Sequence, residues 1–218
     1  MNLSRLLLNP MNRDVRRAIA DAQVLHGLVM KGFPTVEGNR HGGSILHRCE
    51  LDRRSGQIVL YVQSGASPSW NTLPAGVLLD LGEELQNPAV RSLDPLEKAV
   101  RQGAVFRFRL RANVTRKIPA GAERPNGTRV PIREADKQLE WLQRKAATAG
   151  FRIQEPAAVW TRPEARAWGT RKGARLTFEA VTFDGLLEVV EPAALLKALA
   201  SGIGPAKAYG CGLLSLAP

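Results

Sequence analysis

The order of strand-like and helix-like segments in the second half of the chain constrains its fold more than any other sequence feature. Between residues 105 and 111, Phe106, Phe108 and Leu110 alternate with arginines, and this period of two predicts a strand. Asp184-Gly185 later predicts a hairpin turn between two strands. The successive segments are a strand at 105–111, a helix at 132–150, strands at 151–160, 175–183 and 186–190, a helix at 192–201 and a closing apolar run at 213–216. With one additional strand, this is roughly the β-α-β-β-α-β order, which predicts a ferredoxin-like domain.

The first half of the chain follows a similar order with a weaker last helix and strand. An apolar run at 3–8 predicts a strand, and apolar positions spaced by three or four over 12–31 predict one helix that begins at Asn12. Two β-prone runs, 44–51 and 57–63, predict a hairpin, and the polar stretch 87–103 predicts an irregular junction. We therefore predict an α+β chain with two tandem ferredoxin-like domains, at residues 1–95 and 104–218.

The positive charge of the chain is concentrated in one region. The formal net charge is +11, and residues 101–175 hold 18 basic and 6 acidic side chains, against 13 and 14 in the rest of the chain. Such a concentration indicates a polyanionic partner, with nucleic acid favoured over a basic surface kept for solubility.

Other bulk features exclude several classes of protein. A hydrophobic share of 44% permits a real core, and the absence of an apolar run of 18 residues excludes a membrane span. Cys49 and Cys211 fit no metal or redox spacing. We therefore expect no metal and no cofactor, and a reducing, cytoplasmic compartment.

His26 is the residue best suited to acid–base chemistry. It lies beside Leu25, at the edge of the apolar face of the first predicted helix, and an ordinary histidine pKa of about 6.5 suits proton transfer near neutral pH. The position also fits an ordinary surface or core histidine. Lys31 either stabilises phosphate charge or simply favours the helix dipole. His41 and His47, in or beside a glycine-rich stretch, are expected at the surface.

Three basic or glycine-rich segments are candidate nucleic-acid contacts. Outward arginines on the strand at 105–111 can follow a phosphate backbone, a basic connection at 160–175 can straddle a nucleic-acid groove, and glycines in the segment 202–212 let a backbone approach phosphate. Trp160 and Trp168, in the basic connection, are expected to pack in the core rather than stack on bases. The candidates in these segments, together with Arg129 from outside them, are Arg107, Arg109, Arg111, Arg162, Arg166, Arg171, Lys172, Arg175, Gly202, Gly204, Lys207 and Gly210.

Several segments, in this order along the chain, resemble the CasE family of CRISPR repeat-RNA endoribonucleases of the type I-E Cascade system. They are Met1-Asn2-Leu3-Ser4-Arg5, Leu25-His26 before Phe33-Pro34, Phe108-Arg109-Leu110-Arg111-Ala112-Asn113, Glu140-Trp141-Leu142-Gln143-Arg144-Lys145 and the glycine-rich segment from Gly202 to Pro218. The resemblance spans nearly the whole chain and is weakest over residues 64–103.

The resemblance implies two tandem ferredoxin-like domains and a specific reaction. Family members cut precursor CRISPR RNA at the base of each repeat hairpin without a metal, by 2′-hydroxyl attack that leaves a 2′,3′-cyclic phosphate, and stay bound to the hairpin within Cascade. The catalytic histidine of the family falls on His26. Some members carry a tyrosine three residues earlier, where this chain has Gln23. The resemblance therefore implies proton transfer by His26 with another partner or water, and Lys31 is the nearest cationic candidate for charge stabilisation.

Two other functions fit the sequence. One is a subunit of a ribonucleoprotein that binds an RNA hairpin without cutting it, which Gln23 in the partner position motivates. The other is a basic structural protein of a particle such as the ribosome, which the charge and element order permit.

Overall fold

The computed structural model describes residues 1–34, 45–52, 54–82, 85–119, 128–164, 167–171 and 173–218. The helices of these ranges are α1 (Arg13–Ala20), α2 (Ala22–Lys31), α3 (Asp94–Ala99), α4 (Ala135–Thr148) and α5 (Pro192–Ser201). The strands are β1 (Asn2–Leu8), β2 (Leu46–Leu51), β3 (Ile58–Ser64), β4 (Ala89–Ser92), β5 (Val105–Asn113), β6 (Thr115–Ile118), β7 (Thr128–Pro131), β8 (Phe151–Ile153), β9 (Trp160–Pro163), β10 (Ala167–Arg171), β11 (Ala174–Phe178), β12 (Ala180–Val189) and β13 (Leu214–Ala217).

The first sheet has the strand order of a ferredoxin-like unit. Its strands run β2-β3-β1-β4, and each neighbouring pair is antiparallel. Helices α1 and α2 cover one face, where Val15 and Val29 pack on Leu6 and Leu60. Short 3₁₀ structure at Trp70–Thr72, rather than a long helix, lies between β3 and β4.

The second sheet repeats this topology. Its order is β13-β5-β12-β8, and β9 pairs with the other end of β12. Helices α4 and α5 cover the face that carries Phe106, Phe108 and Leu110. The hairpins β6–β7 and β10–β11 are additions to this unit. The prediction of an α+β fold with two tandem ferredoxin-like units is confirmed, while the limits 1–95 and 104–218 stay predictions.

Strand β2, at the edge of the first sheet, joins the two units. The Arg48 guanidinium donates to the Ser215 hydroxyl at 2.9 Å and to the Leu213 carbonyl at 3.3 Å. From the neighbouring strand, the Gln63 amide donates to the Leu199 carbonyl at 2.6 Å. Both donors are buried, so β2 is covered by helices on one face and by the second unit on the other.

Several predicted elements differ from the structure. The strand predicted over 151–160 is limited to β8, with 3₁₀ structure at Pro156–Ala158 before β9 begins. The helix predicted over 12–31 is interrupted at Asp21, whose backbone is extended and whose carboxylate caps α2. The turn predicted at Asp184-Gly185 is wrong, because both residues lie inside β12, where Gly185 pairs with Phe108. The stretch 87–103 contains β4 and α3, since a short, exposed edge strand is set by pairing with β1 rather than by its own periodicity.

Among the residues that the structure describes, no helix is both long and apolar enough to cross a bilayer.

Candidate active site

The break between α1 and α2 places His26 on a short helix of its own. The Asp21 carboxylate accepts hydrogen bonds from the backbone nitrogens of Gln23 at 2.7 Å and Val24 at 3.3 Å. Such a cap starts a new helix because it satisfies amides that have no partner in the first turn. Helix α2 buries Leu25 and packs on the first sheet, and His26 lies beside this face, partly buried.

Gln23 and Lys31, the amide and basic neighbours of His26 on α2, lie in different directions from it. Gln23 lies one turn before His26, and its neutral amide transfers no proton. Lys31 is the last residue of the helix and is exposed. Five residues of α-helix turn its side chain about 140° away from that of His26. The structure therefore does not place Lys31 on the face of α2 that carries His26.

His47 lies behind His26, and its expected surface position is wrong. The side chain is 0% exposed, because His47 and Cys49 point from β2 toward the helices that cover the first sheet. The ring centroids of His26 and His47 are 6.1 Å apart, with 24° between the ring planes. The sequence does not indicate that His47 lies beside His26, because no residue spacing relates a position on β2 to one on α2.

The glycine-rich segment reaches the same place from the second unit. A short 3₁₀ turn at Lys207–Tyr209 contacts α2 and β2. A Cβ on Gly210 would lie 3.6 Å from Cδ2 of His47 and 3.2 Å from Nη1 of Arg111. Gly210 also has φ +76°, a conformation that favours glycine. The segment therefore closes over His47, with Lys207 partly exposed beside it.

Gly202 and Gly204 are packed against side chains of the protein. A Cβ on Gly202 would lie 2.7 Å from Cδ2 of Leu46, and one on Gly204 would lie 3.1 Å from the Trp141 ring. Both glycines have positive φ, +76° and +82°. Packing and backbone conformation are therefore sufficient to explain why both positions are glycine.

The arginines of β5 have acidic partners from distant strands. The Arg109 guanidinium donates to Asp184 at 2.6 Å and to Glu50 at 3.1 Å. The Arg111 guanidinium binds Glu164 at 2.8 Å and the carbonyls of Tyr209 and Gly210 at 3.1 and 3.0 Å. Arg107 is exposed and has no ion pair within the described ranges.

Several of the predicted RNA-contacting residues line two separate clefts. A cleft of about 320 Å³ between α2, β2 and β10 is lined by Leu25, Arg111, Trp168 and Gly210. A larger groove of about 1000 Å³ lies on the other side of β2 and is lined by residues that include Arg107, Arg109, Trp160 and Arg162. Trp160 is 74% exposed, so its expected burial in the core is wrong. The arginines of β5 therefore run from one cleft to the other.

The remaining basic candidates lie on hairpins. Arg129 is exposed on β7 and lies opposite Lys117 of β6. Lys117 and its neighbour Arg116 are also exposed, and neither is among the candidates predicted from the sequence. The adjacent pair Arg116-Lys117 was the available signal. Arg171 and Arg175 lie on β10 and β11, and Arg162, on β9, binds Asp184 at 2.8 Å. The candidates Arg166 and Lys172 lie outside the described residues.

Burial lowers the pKa values of both histidines in this region. It lowers the pKa of the partly buried His26 below its ordinary 6.5. It lowers the pKa of His47 to about 3, and the positive charges of His26 and Arg111 act in the same direction. In the free protein at pH 7, both rings are therefore neutral.

The comparisons with known proteins agree along the whole chain. Residues 1–218 match the model of a family described as CRISPR associated protein. The CRISPR-associated endoribonuclease Cse3 of Thermus thermophilus is 32% identical over 229 residues, with 100% of both chains covered. The CRISPR system Cascade subunit CasE of Escherichia coli is 35% identical over 129 residues, which cover 56% of this chain and 63% of CasE.

A solved structure extends this agreement to the fold. Thermus thermophilus Cse3 bound to an RNA representing a pre-cleavage complex superposes with a TM-score of 0.81 at 32% identity, over 100% of this chain and 98% of that one. The two repeated ferredoxin-like units are thus arranged as in that protein. The chain belongs to the family of CRISPR associated proteins, together with Cse3 and CasE.

Proposed function

We propose that this protein is a metal-independent endoribonuclease that cuts precursor CRISPR RNA at the repeat hairpin. After the cut it stays bound to the 3′ hairpin of the product as a Cascade subunit in antiviral defence, in the cytoplasm. The names of Cse3, an endoribonuclease solved with RNA, and of CasE, a Cascade subunit, support this proposal.

The observation that carries the proposal is the position of His26. The ring is partly exposed at the edge of α2, between the glycine-rich segment and the hairpin β10–β11, which both contact this helix. A titratable ring at the meeting point of a tight glycine loop and a basic hairpin is suited to act on a phosphodiester held by both.

The reaction is an internal transesterification. The 2′-oxygen attacks the adjacent phosphorus and loses its proton, the bond from phosphorus to the 5′-oxygen breaks, and the 5′-oxygen gains a proton. The products are a 2′,3′-cyclic phosphate and a 5′-hydroxyl. Because burial lowers the pKa of His26, the free protein presents a neutral ring at pH 7, and we assign it the proton from the 2′-hydroxyl. A second group, either water or a lysine or arginine side chain ordered by the RNA, supplies the proton to the 5′-oxygen.

We assign the RNA-contacting surface from where the basic residues lie in the fold. Lys207, Arg171 and Arg175 lie on the segments that flank His26, and we assign them, with Gly210, to the nucleotides around the cut. Arg107, Arg129 and Arg162 are exposed on other segments and are assigned to the stem. Lys31 is assigned to the RNA backbone. Arg111 is held by Glu164 and two carbonyls, so in this proposal it shapes the glycine-rich segment.

Cleavage of the host's repeat RNA in excess EDTA tests the proposal. We expect the wild-type protein to make one cut that leaves a cyclic phosphate, and His26→Ala to slow it at least 100-fold while binding survives. Val24→Ala, at an exposed position of the same helix, is the matched control. Cleavage that needs a divalent cation, or a fully active His26→Ala protein, would contradict the proposal.

A non-cleaving hairpin-binding subunit is the second candidate, and Gln23 favours it because this position supplies no proton-transfer group. In that case the wild-type protein and His26→Ala bind the hairpin equally and neither cuts it.

A further inference from the structure

His47 is a buried polar side chain that packing does not explain. It is 0% exposed, and neither ring nitrogen has a hydrogen-bond partner among the described residues. A buried nitrogen without a partner lowers stability, whereas an apolar ring of similar size would fill the same space without this cost. An imidazole at this position therefore points to a role outside packing.

The surroundings of His47 connect it to the candidate catalytic ring. The His26 ring faces it at 6.1 Å between centroids, nearly parallel, and Gly210 closes the space from the second unit. The positive charge of Arg111 also acts on it. Cys49, on the same side of β2, remains a thiol because burial raises its pKa to about 12. Because Arg111 already binds Glu164 and two carbonyls, His26 is left among these groups as the polar partner for the orphaned nitrogens.

The neutral charge state of His47 allows its ring to accept a hydrogen bond. With Arg111 and His26 beside a fully buried ring, protonation of His47 is strongly disfavoured. A neutral imidazole always keeps one nitrogen that accepts a hydrogen bond. Buried acceptors of this kind fix the tautomer and orientation of catalytic histidines in other enzymes.

We propose that His47 is a positioning residue that accepts a hydrogen bond from the inner ring nitrogen of His26 when RNA is bound. This inference rests on the proposed function of His26. The bond fixes the His26 proton on the inner nitrogen and leaves the outer nitrogen free to take the proton of the 2′-hydroxyl. Hydrogen bonds of catalytic groups are often long in the free enzyme and shorten in the complex. Because the two rings are stacked in the free protein, the proposed bond requires the partly exposed His26 ring to turn its edge toward His47 when RNA binds.

Substitutions that separate shape from hydrogen bonding test this inference. His47→Phe keeps a flat ring and removes both nitrogens, while His47→Asn and His47→Gln each restore an oxygen acceptor. At saturating RNA we expect His47→Phe to slow single-turnover cleavage about 10- to 100-fold, with the Kd for RNA changed less than about twofold. At least one amide variant should recover most of this loss.

Cys49→Ala is the matched control, because Cys49 is a partly buried neighbour on the same face of the same strand. It should change the melting temperature without changing the rate at saturating RNA. The inference is overturned if His47→Phe cleaves within twofold of wild type. It is also overturned if the three His47 variants are equally slow, which would indicate packing alone.

NMR on the wild-type complex provides a readout that does not depend on how the variants fold. With an RNA that carries a 2′-deoxy nucleotide at the cut, a scalar coupling between ring nitrogens of His26 and His47 is expected, and its absence overturns the inference. If His26→Ala cleaves normally, the proposed function fails. If His26→Ala is inactive while His47→Phe is active, the inference fails and the proposed function stands.

Discussion

Gly169 of β10 lies directly against Gln23 at the start of the helix that carries His26. A Cβ on Gly169 would be 3.2 Å from the backbone nitrogen of Gln23 and 3.4 Å from the capping carboxylate of Asp21. Because the neighbouring atoms include helix backbone, they have little freedom to move aside. The hairpin β10–β11 and the candidate catalytic helix are therefore packed as one unit.

We predict that Gly169→Val pushes the hairpin away from α2. Overpacking of this kind costs about 1–3 kcal/mol, and cleavage at saturating RNA should slow because the basic hairpin no longer aligns the strand with His26. Urea unfolding and single-turnover cleavage measure the two effects. Thr170→Val, at the next and exposed position of β10, should change neither, and a wild-type rate in Gly169→Val would show that the contact is dispensable.

The ion pair between Arg111 and Glu164 should stabilise the glycine-rich segment. Removing one partner of a buried pair costs 3–5 kcal/mol, but the Glu164 side chain is 32% exposed. We therefore expect Glu164→Gln to cost about 2 kcal/mol in urea unfolding. In the more exposed pair of Arg152 and Glu188, Glu188→Gln should cost less than about 1 kcal/mol. Equal losses in the two pairs would contradict the role of Arg111.

The hairpin β6–β7 should contribute to RNA affinity through charge. Lys117 and Arg129 face each other across its strands and are exposed. Replacing both by alanine should reduce the slope of log K against log salt by roughly 1.5–2, since each phosphate contact releases about one counterion. Arg91→Ala, on the far edge strand β4, is the control. An unchanged slope would place the RNA elsewhere.

The sequence predicts elements whose burial follows a simple period. Strand β5 alternates as expected, with Phe106, Phe108 and Leu110 buried, and the helix predicted over 192–201 matches α5. Gly185 shows where local signals mislead. A Cβ there would lie 3.1 Å from the Phe108 ring, so this glycine permits close packing between strands and forms no turn.

The site itself depends on contacts that no local pattern contains. On β2, Leu46, His47 and Arg48 are buried in succession, because helices cover one face of the strand and the second unit covers the other. The alternation of buried and exposed residues therefore fails on β2, and the sequence pattern alone wrongly predicts a surface position for His47. The acidic partners of Arg109 and Arg111 are likewise absent from any local pattern, because they come from strands far away in sequence.

The pH dependence of cleavage should report the protonation of His26. The rate constant at limiting RNA reflects the free enzyme, in which burial lowers the pKa of His26 below 6.5. If the neutral ring accepts the proton of the 2′-hydroxyl, this rate constant rises with pH in the acidic range and becomes level by about pH 7. Single-turnover measurements between pH 5 and 8 test this, with Val24→Ala as the control. A rate constant that falls as the pH rises through 6.5 would instead assign His26 the proton donated to the 5′-oxygen.

The stability of the protein should decrease in acid because of His47. Its pKa is about 3 in the folded protein and about 6.5 in the unfolded chain. Between these values the unfolded state binds more protons, so the contribution of neutral His47 is complete above pH 6.5 and is lost as the pH falls. From pH 7 to pH 5 this amounts to about 2 kcal/mol, at about 1.4 kcal/mol per pH unit, and the lowered pKa of His26 adds a change of the same sign. Urea unfolding at pH 7, 6 and 5 should show the decrease in the wild-type protein and in Cys49→Ala but a much smaller one in His47→Phe, whose side chain takes up no proton. Equal pH slopes in the wild-type protein and His47→Phe would mean that His47 is not held neutral by the fold.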